Sequence, residues 1–305
     1  MDESNKHGNP VRAAFQKLLQ NKLATVCFVV LILEILLVAL APFIAPYGYE
    51  EQDPAHALAP GFWAQWTAVT DPEDSKYNAR DQYVPGHILG TDQYGRDTLS
   101  RLLYGGRISL MVGFVSTAMG LVAGVICGLL AGYYKRLDNP IMRVMDLLFT
   151  FPGILLAMLI IAMLGVNTFN AMLAISIWSI PSFARMARGT YAGLREANYV
   201  KSARLMGASS SRILWRHILP NTWSVLLPAL TIGFNNAVLA EASMSYLCIG
   251  VTPPDASLGY MLSESQGMFM SAPWYALGTG LTLVWMVFGV GLIGEGLQRR
   301  GGGEA

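Results

Sequence analysis

Charge is scarce in this sequence: Asp, Glu, Lys and Arg together make up 13% of its 305 residues, about half the share usual in soluble domains. Cysteine is scarcer still. Cys27, Cys127 and Cys248 lie far apart within apolar runs, with no CxxC pair and no histidine-rich spacing near them, which excludes a disulfide scaffold and a cysteine metal site. They are expected to act as small apolar packing residues. The four histidines, His7, His56, His87 and His217, are scattered. The chain also lacks a GxxxxGK[ST] phosphate loop, an HExxH pair and a GxSxG elbow, so no catalytic or metal-ligating residue is expected and any ATP-driven work must fall to another chain.

What fills the sequence instead is apolar surface, 53% of all residues, gathered in runs long enough to cross a bilayer. Six runs stand out, at about 24–45, 109–132, 145–165, 169–187, 221–250 and 275–296. They predict an all-α, polytopic membrane protein. The first run is followed by no small-residue cleavage site, so it is expected to be a retained span. Orientation follows from the basic residues. With the N-terminus inside, sixteen of the twenty-one Lys and Arg fall on the inner side, including Lys6, Arg12, Lys17 and Lys22 of segment 1–23 and the tail 299–305. That asymmetry predicts N-in, C-in. Residues 11–19 of the first segment form either a short surface helix or part of a solvated tail.

The segments between the spans divide by character. Residues 46–108 open as an irregular insert to about Gly86 and continue as HILGTDQYGRDTLSRLLYGGRISL. There Thr91 or Asp92 is placed to cap an amphipathic helix, with Leu99, Leu102 and Leu103 on its apolar face and Arg96, Asp97 and Arg101 on its polar one. Residues 251–274 read as a loop or re-entrant hairpin that either covers the outer mouth of a path or lies at the membrane interface, anchored by Trp274. Gly113, Gly120, Gly124, Gly128 and Gly132 mark one face of the second span, for mobile or for static close packing. Glu34 and Glu241 lie within spans, where a carboxylate must face protein or water. Glu241, followed by Ser243 and Ser245, either borders a solute path or ties helices together. Asp146 and Glu295 are expected to pair with nearby arginines.

The most distinctive stretch is polar and basic. Residues 185–220, RMARGTYAGLREANYVKSARLMGASSSRILWRHILP, separate two spans and still read as helix–turn–helix. Ala197, Val200, Ala203 and Leu205 carry one apolar pattern, Gly207 breaks it, and Ile213, Leu214, Ile218 and Leu219 resume it before Pro220.

YVKSARLMGASSSRILWRHILPN resembles the cytoplasmic loop of binding-protein-dependent ABC importer permeases, with Lys201, Ser202 and Ala203 at the positions of its EAA motif, Gly207 at its glycine and Ile218, Leu219 and Pro220 at its end. HILGTDQYGRDTLSRLLYGGRISL, TFPGILLAM, AEASMSYLCIGVTPP, SLGYML and GEGLQ resemble the DppC/OppC-type subunit of the peptide-import subgroup. The resemblance covers about 24–46 and 85–298. It implies the type I ABC importer permease fold, with a permease core over 109–298 in the bacterial inner membrane. It also implies a coupling helix in loop 188–220, with Lys201, Ser202, Ala203, Gly207, Ala208, Ser209, Arg212 and Pro220 facing or shaping an ATPase contact.

The partners implied are a second, homologous permease subunit, two ATPase subunits that carry ATP and Mg, an extracytoplasmic solute-binding protein and membrane lipid, with no nucleic acid and no cofactor on this chain. The cargo implied is a di- or oligopeptide; relatives of the same build carry nickel, metal chelates or glutathione. Lys201 departs from the family's glutamate, and Glu196 is placed to replace that charge. A second class of function, an ion-coupled secondary carrier, would use Glu34 and Glu241 as ion sites.

Overall fold

The computed structural model describes residues 22–64 and 83–298. The expected surface helix of residues 11–19, the tail 299–305 and part of the 47–84 insert lie outside them. The described chain is helical: α1 (Lys22–Ala39), α2 (Thr98–Tyr133), α3 (Lys135–Thr150), α4 (Gly153–Leu164), α5 (Thr168–Leu194), α6 (Asn198–Leu205), α7 (Leu219–Tyr246), α8 (Leu258–Gln266) and α9 (Pro273–Gln298). By length and composition three stretches can cross a membrane, α2, Val225–Tyr246 and Pro273–Leu292, and a fourth if the bent pair α3–α4 is one span. α5 has the length, but Ser176, Ser179, Ser182 and Arg185 dilute its apolar character.

One expectation about element boundaries is corrected. The amphipathic stretch before the second span enters it without a break, in an α2 of 36 residues, about 54 Å at 1.5 Å per residue. The third run, in contrast, is not one straight span: α3 and α4 meet at 93°. Pro152 is the cause, since it forces the preceding residue out of the helical region, and Phe151 is extended at φ −86°, ψ 133°. α4 then turns back through Gly165 (φ +92°) into α5. Asn167 caps α5 by accepting from the Asn170 N–H at 2.8 Å, and the Asn170 amide donates to the carbonyls of Leu164 and Gly165 at 2.9 Å.

The pairing of α2 with α5 is the most extensive in the bundle. A Cβ at Gly124 would sit 2.6 Å from Phe183 Cβ and 2.7 Å from the Ile180 carbonyl; one at Gly120 would fall on Ser179, and one at Gly128 on the Ala184 carbonyl. Gly132 meets Tyr191, whereas Gly113 faces α7 at Val238 and Phe234. Between lipid-solvated helices attraction comes from packing, so backbones must approach closely. The stripe supplies that approach. At the far ends of these helices Arg188 Nε lies 2.6 Å from Asp138, and Arg185 Nη2 lies 2.8 Å from Asp146, tying α5 to α3.

At the end of the bundle where α2, α8 and α9 start, a buried polar clasp corrects a further expectation. Neither Thr91 nor Asp92 caps α2. Asp97 does, accepting from the Ser100 N–H at 2.8 Å and the Ser100 hydroxyl at 2.7 Å, while its other oxygen lies 3.0 Å from His87 Nδ1. Thr91 instead donates to the His56 carbonyl at 2.6 Å and accepts from Ala59 N–H at 2.8 Å. Tyr47 stacks on His87 with centroids 4.4 Å apart, so residues 47–64, expected to be irregular, are packed although they hold only one 3-10 turn.

Arg96, Asp97 and Arg101 are not on a solvated face: they are 7%, 1% and 3% exposed. Arg96 Nε donates to Asp92 at 2.6 Å, and Arg96 and Arg101 both donate to Glu264 of α8, at 2.9 and 3.0 Å. The Tyr275 hydroxyl of α9 joins them at 2.9 Å from Glu264. Burial opposes the charge on Arg96; Asp92 and Glu264 outweigh it and hold its pKa above the ordinary value. Two arginines and two carboxylates thus close a balanced group.

Removing one charge from such a group leaves the others buried and uncompensated, at a cost of about 3–5 kcal/mol. Glu264→Ala is therefore expected to lower the thermal unfolding temperature of the detergent-solubilised protein sharply, and an unchanged transition would show that the clasp adds no stability. Gly128→Leu overpacks the α2–α5 contact, with an expected loss of about 1–3 kcal/mol in the same assay.

Candidate functional site

The helix–turn–helix of residues 197–220 stands at the other end of the bundle. α6 buries Val200 and Ala203 and ends in a Schellman turn: the Gly207 N–H donates to the Arg204 carbonyl at 3.1 Å and the Ala208 N–H to Ala203 at 3.0 Å. Such a turn needs a left-handed residue after the helix, and Gly207 has φ +79°. No atom lies within 4 Å of a Cβ built there, so the glycine answers a backbone need and not a spatial one. Ser209 then caps the next turn, Ser210–Arg212, by accepting from the Arg212 N–H.

That turn widens into a π-helical segment, Ile213–Ile218, before α7. Leu219 N–H donates to Leu214, five residues back. Pro220 has no N–H to offer Arg216, and the Asn221 side chain donates to the His217 carbonyl at 2.6 Å. Ile213, Leu214 and Ile218 are buried with Val200 and Ala203 against Val125 and Leu129 of α2 and Ala187 and Tyr191 of α5. The loop is therefore seated directly on the α2–α5 pair and runs without a flexible break into α7.

The residues singled out in the sequence divide accordingly. Ala203 is buried and Ala208 half-buried, holding the turn together; Lys201, Ser202, Gly207, Ser209, Arg212 and Pro220 are exposed. Lys201 Nζ lies 3.5 Å from Glu196, which also meets Arg195 at 3.4 Å. With both partners more than half exposed, the pair adds little stability. Leu205, expected on the apolar inner face, is corrected: it is 89% exposed and Met206 81% exposed. Leu205 lies two residues past Ala203, about 200° around the helix, so it points away from the bundle. That angle was readable from the spacing; that both large apolar residues stay uncovered was not.

The intramembrane carboxylates are placed very differently. Glu241 is fully buried and accepts from three hydroxyls: Ser109 of α2 at 2.8 Å, Ser245 of α7 at 2.7 Å and Ser257 at 2.8 Å. Ser245 also accepts from the Val251 N–H at 2.9 Å, and Ser257 is the N-cap of α8. Ser243 is apart from this group, half-buried and donating to the Leu239 carbonyl of its own helix. Glu34 is apart as well; its carboxylate oxygens are enclosed without a hydrogen-bond partner. Cys127 is half-buried, whereas Cys248 is exposed with φ +60° and so departs from the expected packing role. Glu295 lies among the side chains that are not described.

Comparison with known proteins fits this arrangement. Residues 120–300 match the family model described as binding-protein-dependent transport system inner membrane component, and residues 9–60 match the N-terminal TM domain of oligopeptide transport permease C. The chain is 36% identical over 291 residues to the dipeptide transport system permease protein DppC of Alkalihalophilus pseudofirmus, covering 95% of this chain and 88% of that one. It is 40% identical over 246 residues to the glutathione transport system permease protein GsiD of Pectobacterium atrosepticum, covering 79% and 81%. An inward-facing structure of the MetNI methionine ABC transporter superposes with a TM-score of 0.54 at 21% identity, over 64% of this chain and 93% of that one. A helical, multi-pass chain with this family model over more than half its length is a transport protein of the inner membrane, and it belongs to the binding-protein-dependent transport system inner membrane components.

Proposed function

We propose that this chain is one of two permease subunits of an ATP-driven importer, and that residues 197–212 are its contact with an ATPase subunit. The observation that carries the reading is the exposed pair Leu205–Met206 at the tip of a turn whose inner face is buried on α2 and α5. An uncovered apolar tip beside Lys201 and Arg212 is the chemistry of a protein contact. In this reading ATP and Mg sit on the ATPase subunits. Their motion on binding ATP reaches α2, α5 and α7 through Val200, Ala203, Ile213 and Ile218. The basic residues on this end of the bundle support its placement in the cytoplasm, with six spans and both termini inside.

The cargo proposed is a short peptide handed over by an extracytoplasmic binding protein. Relatives named for dipeptide and for glutathione transport both support it. In the same reading Glu241, enclosed by three hydroxyls, ties α2, α7 and α8 together and does not border the path. An ion-coupled carrier would need accessible carboxylates in the spans, which the burial of Glu241 argues against.

Purification of the tagged protein in mild detergent is expected to bring down a second permease and an ATPase. Leu205→Asp places a charge at the tip and is expected to abolish ATPase recovery while leaving the permease pair intact. Gly207→Val forces a β-branched residue into the left-handed region, at about 1–2 kcal/mol, and is expected to reduce peptide uptake and transport-coupled ATP hydrolysis together. Full ATPase recovery with both variants would sink the docking assignment; uptake lost instead in Glu34→Gln and Glu241→Gln, with no ATPase bound, would establish the carrier.

A further inference from the structure

A hollow of about 190 Å³ opens between α5 and α7, near the middle of both helices. Its wall mixes polar and apolar groups. Ser179 and Ser182 come from α5 and Asn236 from α7, beside Trp178, Phe183 and Ile232. Ser182 and Asn236 are exposed on the surface of this chain, although each lies ten or more residues from either end of its helix. A polar side chain at that depth facing lipid would be left without partners in hydrocarbon. Their exposure therefore demands water, solute or another protein chain against this face.

The hollow is also built to keep its shape. The Trp178 ring is packed against Gly153 at the start of α4, where a Cβ would collide with it, and Gly233 of α7 lets the Phe183 ring close in, leaving 2.6 Å to a built Cβ. Pro181, buried within α5 between Ser179 and Ser182, leaves the Ile177 carbonyl without its usual helical donor. Among the described residues, no carboxylate, histidine, cysteine or basic side chain lines the space. A bare nickel ion, which calls for imidazole, thiolate or carboxylate ligands, finds none. Hydroxyl and carboxamide groups match the amide N–H and C=O of a peptide main chain, and the aromatic and aliphatic wall accepts side chains of many kinds.

We infer that this hollow is a stretch of the solute path in which Ser182 and Asn236 hydrogen-bond a peptide main chain while a second permease subunit closes the open side. The inference rests on the importer reading and adds to it the residues and chemistry of passage. It also accounts for cargoes that differ in side chain but share amide groups.

The test uses the whole transporter, with Cys27, Cys127 and Cys248 replaced by Ala, in lipid nanodiscs. Thiols introduced as Ser182→Cys and Asn236→Cys are treated with a charged, membrane-impermeant methanethiosulfonate, which needs a thiolate and hence water. Both are expected to react, while Ala174→Cys, in the buried core, stays unmodified. In cells, uptake of radiolabelled tri-alanine at sub-saturating concentration by Ser182→Ala and Asn236→Leu is expected to fall at least about tenfold for a lost hydrogen bond to a desolvated amide. Recovery of the ATPases with these variants should be unchanged. An assembled complex in which neither thiol reacts, or in which both variants take up tri-alanine normally, overturns the subsite and leaves the importer reading standing. A wild-type transporter that does not accumulate tri-alanine overturns the peptide assignment; absence of any co-purifying ATPase overturns the importer reading and the subsite with it.

Discussion

The close approach of α2 and α5 is the constraint on which the other contacts depend. In a bilayer, lipid solvates an apolar helix as well as another helix does, so burial alone gives no preference for association. What distinguishes the native pair is the depth to which their backbones mesh, and that depth exists only where Gly120, Gly124 and Gly128 present no side chain. Once the pair is formed, its two ends become platforms. At one, the first turn of α2 alone carries the ion group around Glu264; the other presents Tyr191, Ala187 and Leu129, on which the basic loop is seated.

Polar groups do the remaining fastening, and they do it in closed sets. Asp92, Arg96, Arg101 and Glu264 balance one another's charge, and Glu241 is surrounded by hydroxyl donors from three parts of the chain. A buried charge is tolerable only with such company. The Glu241 set holds α8 at its N-cap, Ser257, and the Glu264 set holds it near its other end, so a helix of nine residues is fastened at both ends.

The helical class, the long apolar runs and the turn at Gly207 were legible in the sequence because they rest on local rules: run length, spacing, and a glycine after a helix. The bend at Pro152 was within reach of the same rules, but the surrounding apolar residues outweighed it. Arg96, Asp97 and Arg101 were read as a polar face, but its burial was not legible because their partners, Glu264 and His87, are set by tertiary contact, 168 residues away in one case. Glu241 and Ser245 stood together in the sequence, four residues apart on one helix, but their partner Ser109, 132 residues off, was out of reach for the same reason. Leu205 was misassigned by treating a run of apolar residues as one face, where two positions on a helix already turn a side chain to the opposite side.

The continuity of α2 has a mechanical meaning. Asp97 fixes its first turn within the ion clasp, and Leu129 lies under the basic loop, so a single rigid rod joins the two ends without an intervening hinge. In a lever about 54 Å long, a tilt of about 10° about one end carries the other by about 9 Å. Small rotations imposed by whatever grips the loop are therefore enlarged at the far side by the length of the helix itself, with no unfolding and no relay of side chains required.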